Sequence, residues 1–427
     1  MWGIFIVAVF DLPKYREAQL SPLKWLIAYL QFWEWRRPLF LGSEKRAILP
    51  IGLLTGERRG ILRKQAVFVA MTMPFWVVLV SGLWSEDLTY WLSRVRLRLP
   101  FLILPMAFAF FSSHFPSVSP KGSPLGSKKQ ISMLFFFLML VVGLNLVLVL
   151  VNYAFDFQRI TKLLGQGIHM PFLKDHITFS VLLAFAVLVG IEFWLGKGRA
   201  ESRAMGVAAY MPALTVFLFI GLHVISVRMG LIAVYGCLIL RGGFFIFETG
   251  RYTVGILGFL ILSAIPLAAY RFIPSLQMRV NYAIWDWQQY QQSNSDNYSD
   301  SERMISYVLG WEIVKANPIL GIGAGDIPQE MTRLNRQKQL PDLDFKHPFN
   351  QWLVTAASTG LVGLVISLWA FFYPLFKDRY YRRPLFLSIH VAFLAYTMAD
   401  VPWEGTFALS AFAFFASLLA SNQDFQS

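Results

Sequence analysis

Residues 177–193 read ITFSVLLAFAVLVGIEF, with Glu192 as their one ionisable side chain. A run this apolar approaches the roughly 20 residues with which a helix crosses the hydrocarbon core of a bilayer. Residues 254–269 (VGILGFLILSAIPLAA) and 351–372 (QWLVTAASTGLVGLVISLWAFF) repeat the pattern. A soluble domain can hide one such helix, but not a series of them. Over all 427 residues, 56% are hydrophobic and only 15% charged, against about 25% charged in soluble domains. Mean hydropathy is +0.52. The expected fold class is therefore all-α, a polytopic membrane protein.

Working outward from 177–193, ten spans can be placed, at about 66–84, 99–114, 131–151, 175–195, 205–222, 229–247, 252–270, 350–374, 385–400 and 403–420. Two poorer stretches, Met1 to Phe10 and Leu23 to Trp33, raise the expectation to about twelve helices. The first lacks a small-residue cleavage pattern, so it reads as an incomplete membrane segment and not a cleaved signal peptide. The division expected is 1–270 for N-terminal membrane helices, 271–348 for a long extracytoplasmic loop, and 349–427 for C-terminal membrane helices.

Charge sets the orientation. Arg58, Arg59, Arg63 and Lys64, then Lys121, Lys128 and Lys129, then Lys197, Arg199 and Arg203, and finally Lys377, Arg379, Arg382 and Arg383 all fall on one side of that count. That side is expected to be cytoplasmic, and the C-terminus with it. Arg94, Arg96 and Arg98 break the rule; they are either drawn inward for function or snorkel to headgroups. The net charge of +13 sits mainly at the ends of apolar blocks. It therefore points to membrane lipids and not to nucleic acid. Cys237, the single cysteine, permits no intrachain disulfide and reads as a small packing residue. No nucleotide-binding motif and no metal-ligand cluster stands out in the sequence.

The segment from Arg271 to Pro348 is the one outer stretch long enough for a small domain. Asp300 is placed to cap a helix whose apolar positions Met304, Ile305, Val308, Leu309 and Ile313 recur at helical spacing. Pro318 predicts that this helix ends near Asn317. A second short helix is expected over Gln329 to Gln337. Between them lies ILGIGAGD (319–326). Its Gly-x-Gly-x-Gly run reads as a tight loop, with contact from Gly323 and Gly325 amides to a diphosphate as the alternative.

Four side chains at membrane edges are candidates for chemistry. His347 can act as a base near neutral pH, or be an interfacial histidine bonded to a carbonyl. Arg228 offers a planar donor fork to a phosphate, or serves as a snorkelling anchor. Arg303 opposes the dipole of the helix it begins, so either a substrate anion or a salt bridge to Glu302 or Asp300 is expected there. His176 is a weaker candidate, oriented by Asp175 or simply marking the interface.

The motifs Ser301-Glu302-Arg303, Gly310-Trp311-Glu312-Ile313 and Asn317-Pro318-Ile319-Leu320-Gly321-Ile322-Gly323-Ala324-Gly325 resemble the O-antigen ligase and polymerase superfamily. So do His347-Pro348-Phe349-Asn350-Gln351-Trp352, the following Ala357-Ser358-Thr359-Gly360-Leu361-Val362-Gly363, and upstream Ser226-Val227-Arg228-Met229-Gly230-Leu231. The resemblance covers roughly residues 170–375. Met229 and His223 depart from what the family would have there.

The resemblance implies a GT-C-type glycosyltransferase in a bacterial inner membrane, with the long loop in the periplasm and no cofactor or metal. The donor would be a glycan on undecaprenyl diphosphate. The acceptor would be lipid A–core in the ligase branch, or another lipid-linked repeat unit in the polymerase branch. By position, Arg228 and Arg303 would bind the diphosphate, His347 would take the acceptor proton, and His176 would stand beside the donor. Two rival classes remain, a lipid-linked sugar flippase or other transporter, and a membrane scaffold. The first would ask for mid-membrane charges and inverted repeats; the second would tolerate loss of His347 and Arg303.

Overall fold

The computed structural model describes residues 56–114, 128–172, 175–196, 198–291, 299–338 and 347–422. The expected segments Met1 to Phe10 and Leu23 to Trp33 lie outside them. The chain divides into two compact units, Met1–Leu62 and Arg63–Ser427, and the architecture that follows is that of the second.

Every regular element among the described residues is helical. Besides two short 3-10 helices, Lys377–Arg382 and Pro402–Glu404, the α-helices are in chain order α1 (Gly56–Ser81), α2 (Leu88–His114), α3 (Lys128–Phe155), α4 (Phe157–Leu164), α5 (His176–Leu195), α6 (Arg199–Ala204), α7 (Met211–Ile225) and α8 (Arg228–Thr249). They continue as α9 (Tyr252–Phe272), α10 (Pro274–Gln291), α11 (Ser299–Ala316), α12 (Ile327–Gln337), α13 (Gln351–Phe376), α14 (Pro384–Ala399) and α15 (Thr406–Ser421).

The span count needs correction. Among the described residues, five helices are long and apolar enough to cross a membrane, namely α3, α5, α8, α9 and α13. This overturns the expectation of about twelve, with ten placed. The other apolar stretches do fall on helices, but α7, α14 and α15 have 15, 16 and 16 residues. At 1.5 Å per residue each reaches roughly 24 Å, against a hydrocarbon core of about 30 Å. Helix α2 is longer but carries Arg94, Arg96 and Arg98 and two internal prolines. Local signals set the short lengths. Pro212 and Pro384 sit where α7 and α14 begin, and Ser226 adopts a left-handed conformation (φ 55°) that stops α7.

Helix α5 is apolar on all sides, as a helix surrounded by others must be. Of its apolar stretch 83% is buried, against α3, α7, α8 and α14. Helix α9 is nearly as apolar, with a mean hydropathy of 2.0 against 2.2, yet only 6% of its apolar stretch is buried among the described residues. Helix α2 packs along α15, and α13 against α11.

In the 271–348 segment, α11 begins at Ser299, so Asp300 lies in its first turn and not at its cap. Ile305, Leu309 and Ile313 are buried with Ile327 and Met331 of α12 against Ala356 and Ala357 of α13. Val308, expected on the same face, is exposed. Helix α13 is broken at Gly360 (φ 66°, ψ −172°), and the glycine run docks on that break. Ile322 N donates to Ala357 O at 3.0 Å, Gly323 N to Ser358 O at 2.9 Å, and Leu361 N to Pro318 O at 2.8 Å.

Candidate functional site

Several helices end or begin at one end of the bundle, and the candidate polar residues lie at or near those termini. Asp175 caps α5. Its carboxylate accepts from Ile177 N at 3.2 Å and from Thr178 N at 2.8 Å, satisfying amides that a helix start leaves open. His176 follows directly, with Nδ1 3.6 Å from Asp175 Oδ1. Its ring stacks on His169 at 3.6 Å between centroids. The charges acting on it are those of Asp175 and Arg303.

Asn350 caps α13 in the same manner, accepting from Trp352 N and Leu353 N at 3.0 Å each. Its amide also donates to Met398 O at 2.8 Å. Gln351 N donates to Asp400 O at 3.1 Å, and Gln351 Oε1 accepts from Trp403 N at 2.9 Å. These bonds fasten 347–351 to the turn between α14 and α15. From the other side, Ser306 Oγ accepts from Phe349 N at 3.1 Å and Tyr307 donates to Phe349 O at 3.0 Å, which ties the same stretch to α11.

Arg303 projects from α11 onto this junction. Among the described residues its guanidinium donates to Ala399 O at 3.1 Å and not to Glu302, and it lies 5.9 Å from the Phe349 ring centre. The salt bridge to Glu302 considered from sequence is therefore absent among the described residues. His347 lies on the fastened 347–351 stretch, its ring centre 6.2 Å from that of Phe349. Burial pushes its imidazole below the ordinary histidine value, only partly offset by the Glu404 and Asp400 carboxylates. Its buried Nδ1 has no hydrogen-bond partner among the described residues. A neutral imidazole with an open nitrogen is what a general base needs.

Two carboxylates complete the site. Burial raises Asp400 above the usual carboxylate range, against the pull of Arg303 and His347. Burial works the same way on Glu404, but Arg98 and Arg94 outweigh it and hold that group at about 2. Arg94 reaches one Glu404 oxygen at 2.6 Å and Arg98 the other at 2.7 Å.

Arg228 is the exposed first residue of α8. Two residues on, Gly230 packs so tightly on α5 that a Cβ there would lie 2.6 Å from Ser180 O. Arg228 thus shares the end of the bundle at which His176 begins α5. Gly323 and Gly325 do not join the site. Their amides donate to Ser358 O at 2.9 Å and Ser85 Oγ at 3.1 Å, so both serve the loop's own packing.

Residues 213–368 match the family model described as O-antigen ligase. Over these residues the chain is similar to the O-antigen ligase family. No curated protein matches the chain.

The segment that matches the O-antigen ligase model supplies Arg228, Arg303 and His347, while His176, Arg94, Asp400 and Glu404 come from outside it. Sequence reasoning missed Asp400 and Glu404. Both stand between two apolar helices, in a chain with only 25 acidic residues. The argument that charge at a membrane edge is costly unless used would have singled them out.

Proposed function

We propose that the protein is a membrane glycosyltransferase of the ligase type, moving a glycan from a polyprenyl diphosphate to a hydroxyl of lipid A–core at the periplasmic face. What supports this reading most is His347, whose buried Nδ1 has no hydrogen-bond partner among the described residues, in the segment that matches the O-antigen ligase model. In the proposed reaction His347 accepts the proton of the acceptor hydroxyl. The acceptor oxygen forms its bond to the anomeric carbon from the face opposite the diphosphate, and the bond to the diphosphate oxygen breaks. The leaving group departs with the bonding pair, and Arg303 and Arg228 compensate its growing charge. Guanidinium groups can do this without a metal. His176 is assigned to the donor side, because Arg303 acts on it electrostatically. The apolar helices offer the lipid-facing surface on which a polyprenyl tail can lie.

The reading is tested in nanodiscs with an undecaprenyl-diphosphate-linked glycan and both acceptors supplied together. Glycan joined to lipid A–core supports the ligase. Lengthened lipid-linked glycan would select the polymerase instead. Neither product, under conditions where donor binding is demonstrated, would turn attention to transport.

A further inference from the structure

Arg94 and Arg98 are four residues apart, on one face of α2, and both close on Glu404. The Arg98 side chain is 2% exposed and that of Glu404 6%. Burying ions is costly, and hydrophobic replacements often do as well for stability. Two arginines on one carboxylate also leave an excess positive charge, and Nε and Nη1 of Arg98 have no partner among the described residues. Such an arrangement is a poor choice for merely joining α2 to the turn before α15. That turn is also where 347–351 is fastened, through Gln351 to Asp400 and Trp403.

We propose that Arg94, Arg98 and Glu404 form a positioning triplet for His347. Glu404 supplies the counter-charge for the imidazolium formed on proton transfer, and the arginines hold that carboxylate ionised and in place. This inference rests on the transferase reading. The charges that act on His347 are Glu404 and Asp400 from the turn and Arg94 from α2; Arg303 of α11 acts in turn on Asp400. Of the two acids, Asp400 is raised by burial while Glu404 is held at about 2. Glu404 keeps its full charge across the working range, and it is the acid that both arginines of α2 contact. Arg96, exposed on the opposite side of α2, takes no part.

The test is the pH profile of turnover in nanodiscs for wild type, Glu404→Gln, Glu404→Asp, Arg94→Ala and Arg96→Ala. Glu404→Gln removes an anion near His347, so the acid limb should move to lower pH by about one unit. Turnover should fall roughly 10- to 100-fold with KM for the donor unchanged. Arg94→Ala removes a cation and should move the limb the other way. Glu404→Asp should recover part of the loss, and Arg96→Ala should superimpose on wild type. A purely structural clamp would lower activity in both triplet variants with no opposed shift, and that result overturns the proposal. A second readout needs no turnover. The rate of carbethoxylation at His347 by diethyl pyrocarbonate, followed by peptide mass spectrometry against pH, should show the same opposed shifts. If it does while wild type transfers no glycan, the transferase reading fails and the electrostatic coupling stands. Unmoved midpoints at His347 overturn the triplet whatever the activity.

Discussion

Tyr396 donates its hydroxyl hydrogen to Oδ2 of Asp175 across 3.0 Å, joining the last turn of α14 to the cap of α5. The same hydroxyl lies 2.7 Å from Thr178 Oγ1. Three residues further on, Ala399 O receives Arg303. One carboxylate thereby fixes the start of α5, the neighbour of His176 and the end of the helix that steadies Arg303. Replacing Tyr396 with Phe keeps the ring and removes this bond, which is expected to cost about 1 kcal/mol. Asp175→Ala should cost more, because it also uncaps α5. Thermal unfolding in detergent should rank the three proteins wild type, Tyr396→Phe, Asp175→Ala. An unchanged melting temperature for Tyr396→Phe would show that the bond contributes nothing.

The glycine loop makes a prediction about stability. Gly321 (φ 68°) and Gly360 (φ 66°) are left-handed and lie against backbone. A Cβ on Gly321 would lie 2.5 Å from the carbonyl carbon of Ser358, and one on Gly360 would strike Ile319 O. Gly206 has a similar φ of 75° but open space around it. Alanine at Gly206 should therefore cost only about 1–2 kcal/mol of conformational strain, and alanine at Gly321 or Gly360 clearly more. Resistance to limited proteolysis measures the order, and equal effects at the three sites would contradict the packing described.

The pH dependence follows from His347. Burial lowers its pKa below 6.5 in the folded protein, and the proposed mechanism uses the neutral form. Activity should consequently rise with pH along a limb below 6.5 and level off above it. An acid limb centred above 7 in wild type would contradict this. The same depression bears on stability. As pH falls below the unfolded value of about 6.5, the unfolded chain binds the proton before the folded one, and stability declines toward the folded pKa.

Arg303 separates charge from geometry. Arg303→Ala should lower turnover roughly 100- to 1,000-fold. Arg303→Lys restores the charge but not the planar donor set, and should recover only part of that loss. EDTA should leave the wild-type rate unchanged if, as proposed, the arginines carry the leaving-group charge. Steady-state rates with a fixed donor decide both points, and full activity in the lysine variant would reduce the role of Arg303 to a point charge.

Much of this architecture was legible because apolar runs dictate where helices lie. The α11 helix and its stop before Pro318 could likewise be read from spacing and one proline. The number of spans could not. Apolar composition does not fix helix length, and 211–225, 384–399 and 406–421 are cut short by prolines and turns that look minor in the sequence. The break at Gly360 was hidden as well, since Ala357-Ser358-Thr359-Gly360 reads as the continuation of a helix until the glycine loop docks on it. At the site, Arg303 stood out as a cation opposing the dipole of its helix, and His347 as a titratable group at the entrance of an apolar segment. Arg94 stood out only as an exception to the charge rule. Its partner Glu404 is 310 residues away, and no local pattern links residues at that separation.

The most direct test of the central claim compares wild type with His347→Ala in nanodiscs, with donor, acceptor and EDTA. Release of polyprenyl diphosphate is measured beside donor affinity. The account predicts that His347→Ala binds the donor as wild type does while turnover falls roughly 100- to 10,000-fold. Turnover at the wild-type rate by the alanine variant would contradict the role of His347 as base, and with it the mechanism proposed here.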